Sequence, residues 1–142
     1  MLKVLVPIDG SSASERAVRH VIDLIRKTGE RMEVHLVNVQ EGADAPELRR
    51  FMKESEIKRA QLGHGADQLQ PAKRLLDRSG TEYEEHVLIG DPAEKIAQFA
   101  KRGSFDTIVM GTNGRGTLGS LLMGSVATEV VQHATVPVTL VK

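Results

Sequence analysis

The chain contains no cysteine and no tryptophan, and its aromatic side chains amount to three phenylalanines and one tyrosine. Without cysteine there can be no disulfide, no thiolate nucleophile and no cysteine-ligated zinc. With so few rings, aromatic stacking is not a general device for holding bases, which argues against RNA and single-stranded DNA as partners. Nor is there an excess of charge: 19 basic residues balance 19 acidic ones, so neither nucleic acid nor an anionic membrane surface is favoured. No apolar run approaches the roughly 20 residues that span a bilayer. The N-terminus lacks the basic and apolar regions of a signal peptide, and a cytoplasmic location is the expectation.

What remains is a chain of 142 residues, 40% of them hydrophobic, which suits one substantial core and is too short for two ordinary domains. A single domain over residues 1–142 is expected. Leu2–Pro7 is short and almost wholly apolar, as in a parallel strand covered on both faces. Ser11 or Ser12 can cap a helix over Ala13–Lys27, whose apolar positions keep one face and which Gly29 ends. Further strands are predicted at Met32–Val39, from near Glu82 to Ile89, at Phe105–Met110 and at Val136–Val141. Asp91-Pro92 opens a helix with proline in its first turn, and Leu121–His133 is predicted as the last one.

Strands alternating with helix-length crossovers imply an α/β fold, a doubly wound open parallel sheet of five strands with helices on both faces. Between Glu41 and Gly80 the pattern is weaker. Leu48, Phe51, Met52 and Ile57 suggest one helix, Leu69, Ala72, Leu75 and Leu76 another, with Gly63-His64-Gly65 as the break. Pro71 inside the second pattern predicts a kink or a helix beginning there, since an interior proline costs roughly 3 kcal/mol. The early part is either a flap over a ligand or a solvated charged helix.

The most informative stretch runs from Gly111 to Ser125, with glycine at 111, 114, 116, 119 and 124. It follows an apolar strand and leads into a helix. Glycines let backbone N–H groups approach an anion, and the helix N-terminus adds unsatisfied donors and partial positive charge. It is not a Walker loop, because the chain has no Gly-Lys-Ser or Gly-Lys-Thr. The fragment Gly114-Arg-Gly116-Thr-Leu-Gly119 matches Gly-x-Gly-x-x-Gly, but it lies near the C-terminus, where the dinucleotide fingerprint does not belong.

The spacing Gly111-x2-Gly114-x9-Gly124-Ser125 resembles the ATP-binding branch of the universal stress protein family. Val4-Leu5-Val6-Pro7-Ile8-Asp9-Gly10-Ser11 looks like that family's first strand and turn, and Val37-Asn38-Val39 like the second strand where it meets adenine. The resemblance covers the whole chain. It implies strand order 3-2-1-4-5, a fold like that of the adenine nucleotide alpha hydrolases, and a stress-response protein that binds ATP, with Mg as a second cofactor.

On that resemblance the nucleotide would meet Pro7, Ile8, Asp9, Val39, Met110, Gly111, Gly114, Arg115, Gly124, Ser125 and Val126. Asp9 could accept from ribose hydroxyls or hold a water of a phosphate-bound magnesium ion, or simply fix its own turn. Ser125 can also serve as a helix N-cap. Arg115 can reach the outer phosphate through its planar fork or point into solvent. Val39 and Met110 would edge the adenine, although buried strands contain such residues without any ligand.

No base or nucleophile for turnover stands out. The His-x-Gly-His motif of nucleotidyltransferases and the Ser-Gly-Gly-x-Asp-Ser motif of pyrophosphatases on this fold are absent, the first region reading Asp9-Gly10-Ser11-Ser12. His20, His35, His64, His86 and His133 are scattered, which argues against a metal cluster. The expectation is a nucleotide-dependent switch with at most slow hydrolysis, the alternative a homodimeric interaction module that needs no nucleotide. The apolar last strand, expected at a sheet edge, predicts a homodimer through Val136, Val138 and Leu140. A flavin or electron-transfer role has no support beyond architecture.

Overall fold

A computed structural model describes residues 1–42, 46–112 and 124–142, apart from the Leu48 side chain. Its elements run β1 (Leu2–Pro7), α1 (Ser12–Thr28), β2 (Met32–Gln40), α2 (Pro46–Phe51), α3 (Glu54–Ser79), β3 (Tyr83–Ile89), α4 (Pro92–Arg102), β4 (Thr107–Gly111), α5 (Ser125–His133) and β5 (Val138–Val141). The strands form one parallel sheet in the order β3-β2-β1-β4-β5, the order implied by the resemblance. The chain winds outward from β1 through β2 to β3. It then crosses back to place β4 on the other side of β1, so the switch point lies between β1 and β4.

Alternation along the strands divides the core in two. Val4, Val6, Val34, Leu36 and Val109 face α1 and α3, meeting Ala17, Val18, Val21, Leu69, Ala72 and Leu76. Leu5, Val37, Ile108 and Met110 face α4 and α5, meeting Ala93, Ile96, Ala100, Ala127 and Val130. Helices therefore cover both faces, and β1 is apolar on both because both are buried.

Local chemistry sets most boundaries. Ser11 caps α1, its side chain accepting from the Ser14 N–H, and Gly29 closes the helix in the left-handed region at φ 69°. Asp91 caps α4 through the Glu94 N–H, with Pro92 in the first turn. Phe105, expected as strand, instead closes α4 by donating its N–H to the Ala100 carbonyl, and β4 begins at Thr107. Strand β5 begins at Val138 rather than Val136.

The larger correction concerns α3, which runs unbroken from Glu54 to Ser79 through both Gly63-His64-Gly65 and Pro71. The break falls earlier, at Met52-Lys53. Gly65 is buried against the sheet: a Cβ there would lie 2.6 Å from Val87 Cγ1 and 2.7 Å from Asn38 Oδ1. The glycine permits close helix-to-sheet contact rather than ending the helix. Helix α5 is observed from Ser125, and residues 121–123 of the expected helix lie outside the described residues.

Candidate functional site

The C-terminal ends of β1, β2 and β4 meet the start of α5 around a cleft of about 470 Å³. Pro7, Ile8 and Asp9 enter it from β1, Val39 from β2, Met110 and Gly111 from β4, and Gly124, Ser125 and Val126 from the head of α5. Every residue singled out from the sequence that falls within the described part thus lines one cleft. Gly114 and Arg115 lie outside the described residues. A larger, more open depression of about 770 Å³ adjoins it between α2, α3 and the β3–α4 turn, sharing Glu41 and Pro92.

The turn after β1 is rigidly built. Asp9 Oδ1 accepts from the Ser11 N–H at 2.9 Å, and Gly10 sits at φ 85°, where a side chain would be strained. Asp9 is itself exposed at the rim. Its carboxylate therefore fixes the turn while remaining exposed to solvent.

Gly111 has a structural reason of its own. A Cβ there would collide with the Ala13 carbonyl, because the first turn of α1 lies directly against the end of β4. Ser125, by contrast, is not the N-cap of α5. The cap is Gly124, at φ −60° and ψ 156°, and no side-chain hydrogen bond accompanies it. Serine caps by propensity better than glycine only if its backbone takes the extended cap conformation, and here Gly124 takes it. Among the described residues, the leading N–H groups of α5 thus have no side-chain cap at the cleft.

Three polar residues were not apparent from the sequence as site builders. Asn38, 1% exposed, donates through Nδ2 to the Ile8 carbonyl at 2.8 Å and to Gln68 Oε1 at 2.9 Å. Gln40 Nε2 donates to Asn38 Oδ1 at 2.7 Å and to Gln68 Oε1 at 2.8 Å. This network ties β1, β2 and α3 together beneath the cleft, and Gln40 and Gln68 line its wall. Gln68 lies in the segment of weakest pattern, so only the continuity of α3 brings it into view. Arg16 of α1 also reaches the start of the glycine stretch, its Nη2 donating to the Thr112 carbonyl at 3.4 Å. Its buried Nε has no hydrogen-bond partner among the described residues.

A family model described as the universal stress protein family matches residues 1–142. The chain belongs to the universal stress protein family. Among curated relatives, universal stress protein MJ0531 of Methanocaldococcus jannaschii is 32% identical over 141 residues, covering 99% of this chain and 81% of the relative. Among solved structures, that of MJ0577 from the same organism superposes with a TM-score of 0.80 at 30% identity, covering 99% of this chain and 95% of that one. The universal stress protein of Archaeoglobus fulgidus in complex with dAMP gives a TM-score of 0.69 at 26% identity, covering 100% and 98%. No helix among the described residues is long and apolar enough to cross a membrane.

Away from the cleft, the structure joins two of the scattered histidines. His35 of β2 and His86 of β3 meet with Nδ1 and Nε2 2.9 Å apart. His35 Nε2 lies 2.7 Å from Glu33 Oε2, and that hydrogen bond is the main reason the Glu33 carboxyl is held below its ordinary range. Burial lowers the tendency of His86 to take up a proton, assisted by the neighbouring His35. Their adjacency depends on strand register, which pairs His35 with Glu84 and Val37 with His86.

Proposed function

We propose that this chain is an adenine-nucleotide-binding regulatory protein that takes ATP in the cleft at the β1/β4 switch point. The observation that carries this reading is the convergence on one cleft of three strand ends and the α5 N-terminus, which has no side-chain cap among the described residues. Backbone N–H groups at Gly111, Gly124 and Ser125 supply donors for phosphate, and the helix dipole favours negative charge there. Gly114 and Arg115 belong to the same reading through their place in the glycine spacing. Val39 and Met110 offer apolar walls for the base. The dAMP complex of the Archaeoglobus fulgidus protein supports adenine as the class of base.

Asp9 presents an exposed oxygen donor at the rim, which suits Mg²⁺, a cation that keeps several waters and uses few protein carboxylates. It would hold such an ion through water alongside phosphate oxygens. The site binds rather than turns over its ligand: occupancy would shift the conformation of the glycine loop and of the partner-facing edge, and hydrolysis would be at most slow.

The test pairs mass spectrometry of small molecules released from purified protein with ATP calorimetry on the native chain and a Gly124→Val variant. Valine readily adopts φ −60° and ψ 156°, so this substitution crowds the anion site without straining the backbone. Binding by the native chain, lost in a variant that still folds, is the expected result. Absence of binding at millimolar ATP with Mg²⁺ would overturn the proposal and leave the nucleotide-independent dimeric module.

A further inference from the structure

The edge of the sheet carries a second constellation, two residues along β2 from Val37 at the cleft's inner wall, about 7 Å at roughly 3.3 Å per residue. We propose that His35, His86 and Glu84 form a site for a divalent transition-metal ion of the zinc class. Three atoms define it. His35 Nδ1 is 2.9 Å from His86 Nε2 and 3.5 Å from Glu84 Oε2, and His86 Nε2 is 3.9 Å from the same carboxylate oxygen. The point equidistant from the corners of that triangle lies about 2.0 Å from each, the length of zinc–imidazole and zinc–carboxylate bonds. Two imidazoles and a carboxylate are also a donor set that zinc, nickel and copper prefer over magnesium or calcium.

Glu33 provides an independent reason. Its carboxylate accepts from His35 Nε2 at 2.7 Å, which places the ring proton on Nε2 and leaves the Nδ1 lone pair facing His86 and Glu84. A carboxylate behind a ligating histidine is the arrangement that fixes tautomer and orientation in metal sites. The rings are further held by Phe105, edge-on to His35 with centroids 4.9 Å apart, and by Phe99, 4.7 Å from His86. Lys3 neutralises Glu33 from beyond, 3.7 Å from its Oε2, while donating to the Gly103 carbonyl. Glu84 thus leaves the neutral-histidine site one net negative charge for a cation.

A hydrogen-bond chain from Glu33 through His35 to His86 accounts for part of this geometry. The two rings are coplanar within 6°, so without metal the two nitrogens share the His86 Nε2 proton head on. That chain gives Glu84 no role, because 3.5 and 3.9 Å exceed hydrogen-bond reach. Metal loading moves the shared proton to His86 Nδ1 or to solvent and tilts the imidazoles toward the carboxylate. His86, half-buried on the edge strand and packed only against Phe99 among the ring contacts on its far side, has more room to tilt than His35. His35, buried, is the fixed one. Exposed Glu84 gives the ion its entry from solvent.

The test is zinc calorimetry on the chelator-treated full chain, without nucleotide, so that its outcome is independent of the ATP reading. One zinc per chain is expected, lost in His86→Gln and in Glu84→Gln, and weakened about 10- to 100-fold in Glu33→Gln, which acts only by positioning His35. His64→Gln and His133→Gln, both at exposed positions, should leave binding unchanged. Histidine ring signals of the native chain supply a measurement that needs no variant: zinc should shift those of His35 and His86 before those of His20, His64 and His133. No zinc uptake at tenfold excess, retention in His86→Gln, or first shifts at the exposed histidines would each overturn the proposal.

Discussion

Gly65 and Val87 stand so close across the α3–sheet contact that a Cβ on the glycine would lie 2.6 Å from Val87 Cγ1. Two residues earlier on the same helix, Gly63 has nothing within 4 Å of the same imagined atom. The pair therefore predicts opposite signs for one substitution. Gly63→Ala should stabilise by up to about 1 kcal/mol, the helix preference of alanine over glycine. Gly65→Ala gains the same preference but overpacks a filled core, at a cost of about 1 to 3 kcal/mol, so its net effect is destabilising. Urea midpoints of the two variants decide it, and equal shifts in the same direction would refute the account of α3.

The two glycines also show what the sequence can and cannot disclose. Both read as helix breakers in a string, because the close approach that makes Gly65 necessary is made by Asn38 and Val87, residues far away in the chain. Strand β1 was legible from the start, since burial on both faces leaves an almost wholly apolar run that needs no partner to explain it. The cleft residues were placed by the family resemblance: strand ends and helix starts are local features of sequence, but the strand order that makes β1 and β4 neighbours is not. The His35–His86 contact was not legible. It requires the register of β2 against β3, and 51 residues separate the two rings. Likewise Ser125 is the stronger capping residue by type, yet which residue takes the cap conformation is settled by how the chain enters α5.

Asn38 ties the cleft floor to α3, and its removal should register in both stability and affinity. Asn38→Ala leaves the buried Ile8 carbonyl and the Gln68 and Gln40 amides short of partners, at a cost of about 1 to 3 kcal/mol. Denaturant unfolding should show a lower midpoint at unchanged slope. Because Ile8 leads directly into the Asp9 turn, ATP affinity should fall as well. A variant with normal affinity and reduced stability would confine the network to a structural role.

Strand β5 is the sheet edge next to β4, and its outer side is the expected seat of a symmetric partner strand. Val136, Val138 and Leu140 nonetheless pack, half-buried, against the chain's own α4 and α5 core. Lysine at 138 or 140 can keep some of that packing through its aliphatic stem while placing a charge at the edge. Val138→Lys or Leu140→Lys should therefore yield folded monomers by light scattering, with native circular dichroism. A folded dimer would place the interface elsewhere on the surface.

Nucleotide recognition by this cleft should be graded by phosphate. If the α5 N-terminus and the glycine stretch contact the phosphates while Val39 and Met110 contact the base, adenosine should bind weakest, AMP more tightly and ATP most tightly. Thermal shift measures that order without a label. A ligand at a hundred times its dissociation constant stabilises the native state by about 2.7 kcal/mol. For a domain of this size each kcal/mol raises the midpoint by roughly 2–4 °C, so a saturating ligand should give a shift of about 5–10 °C. At one fixed concentration the shifts should rank ATP above AMP above adenosine, and Gly124→Val should collapse ATP toward adenosine. The variant leaves Val39 and Met110 in place and crowds the phosphate approach, with a small added cost at the α5 cap. A ranking insensitive to phosphate number would mean that the base alone is held, and that the head of α5 does not contact the anion.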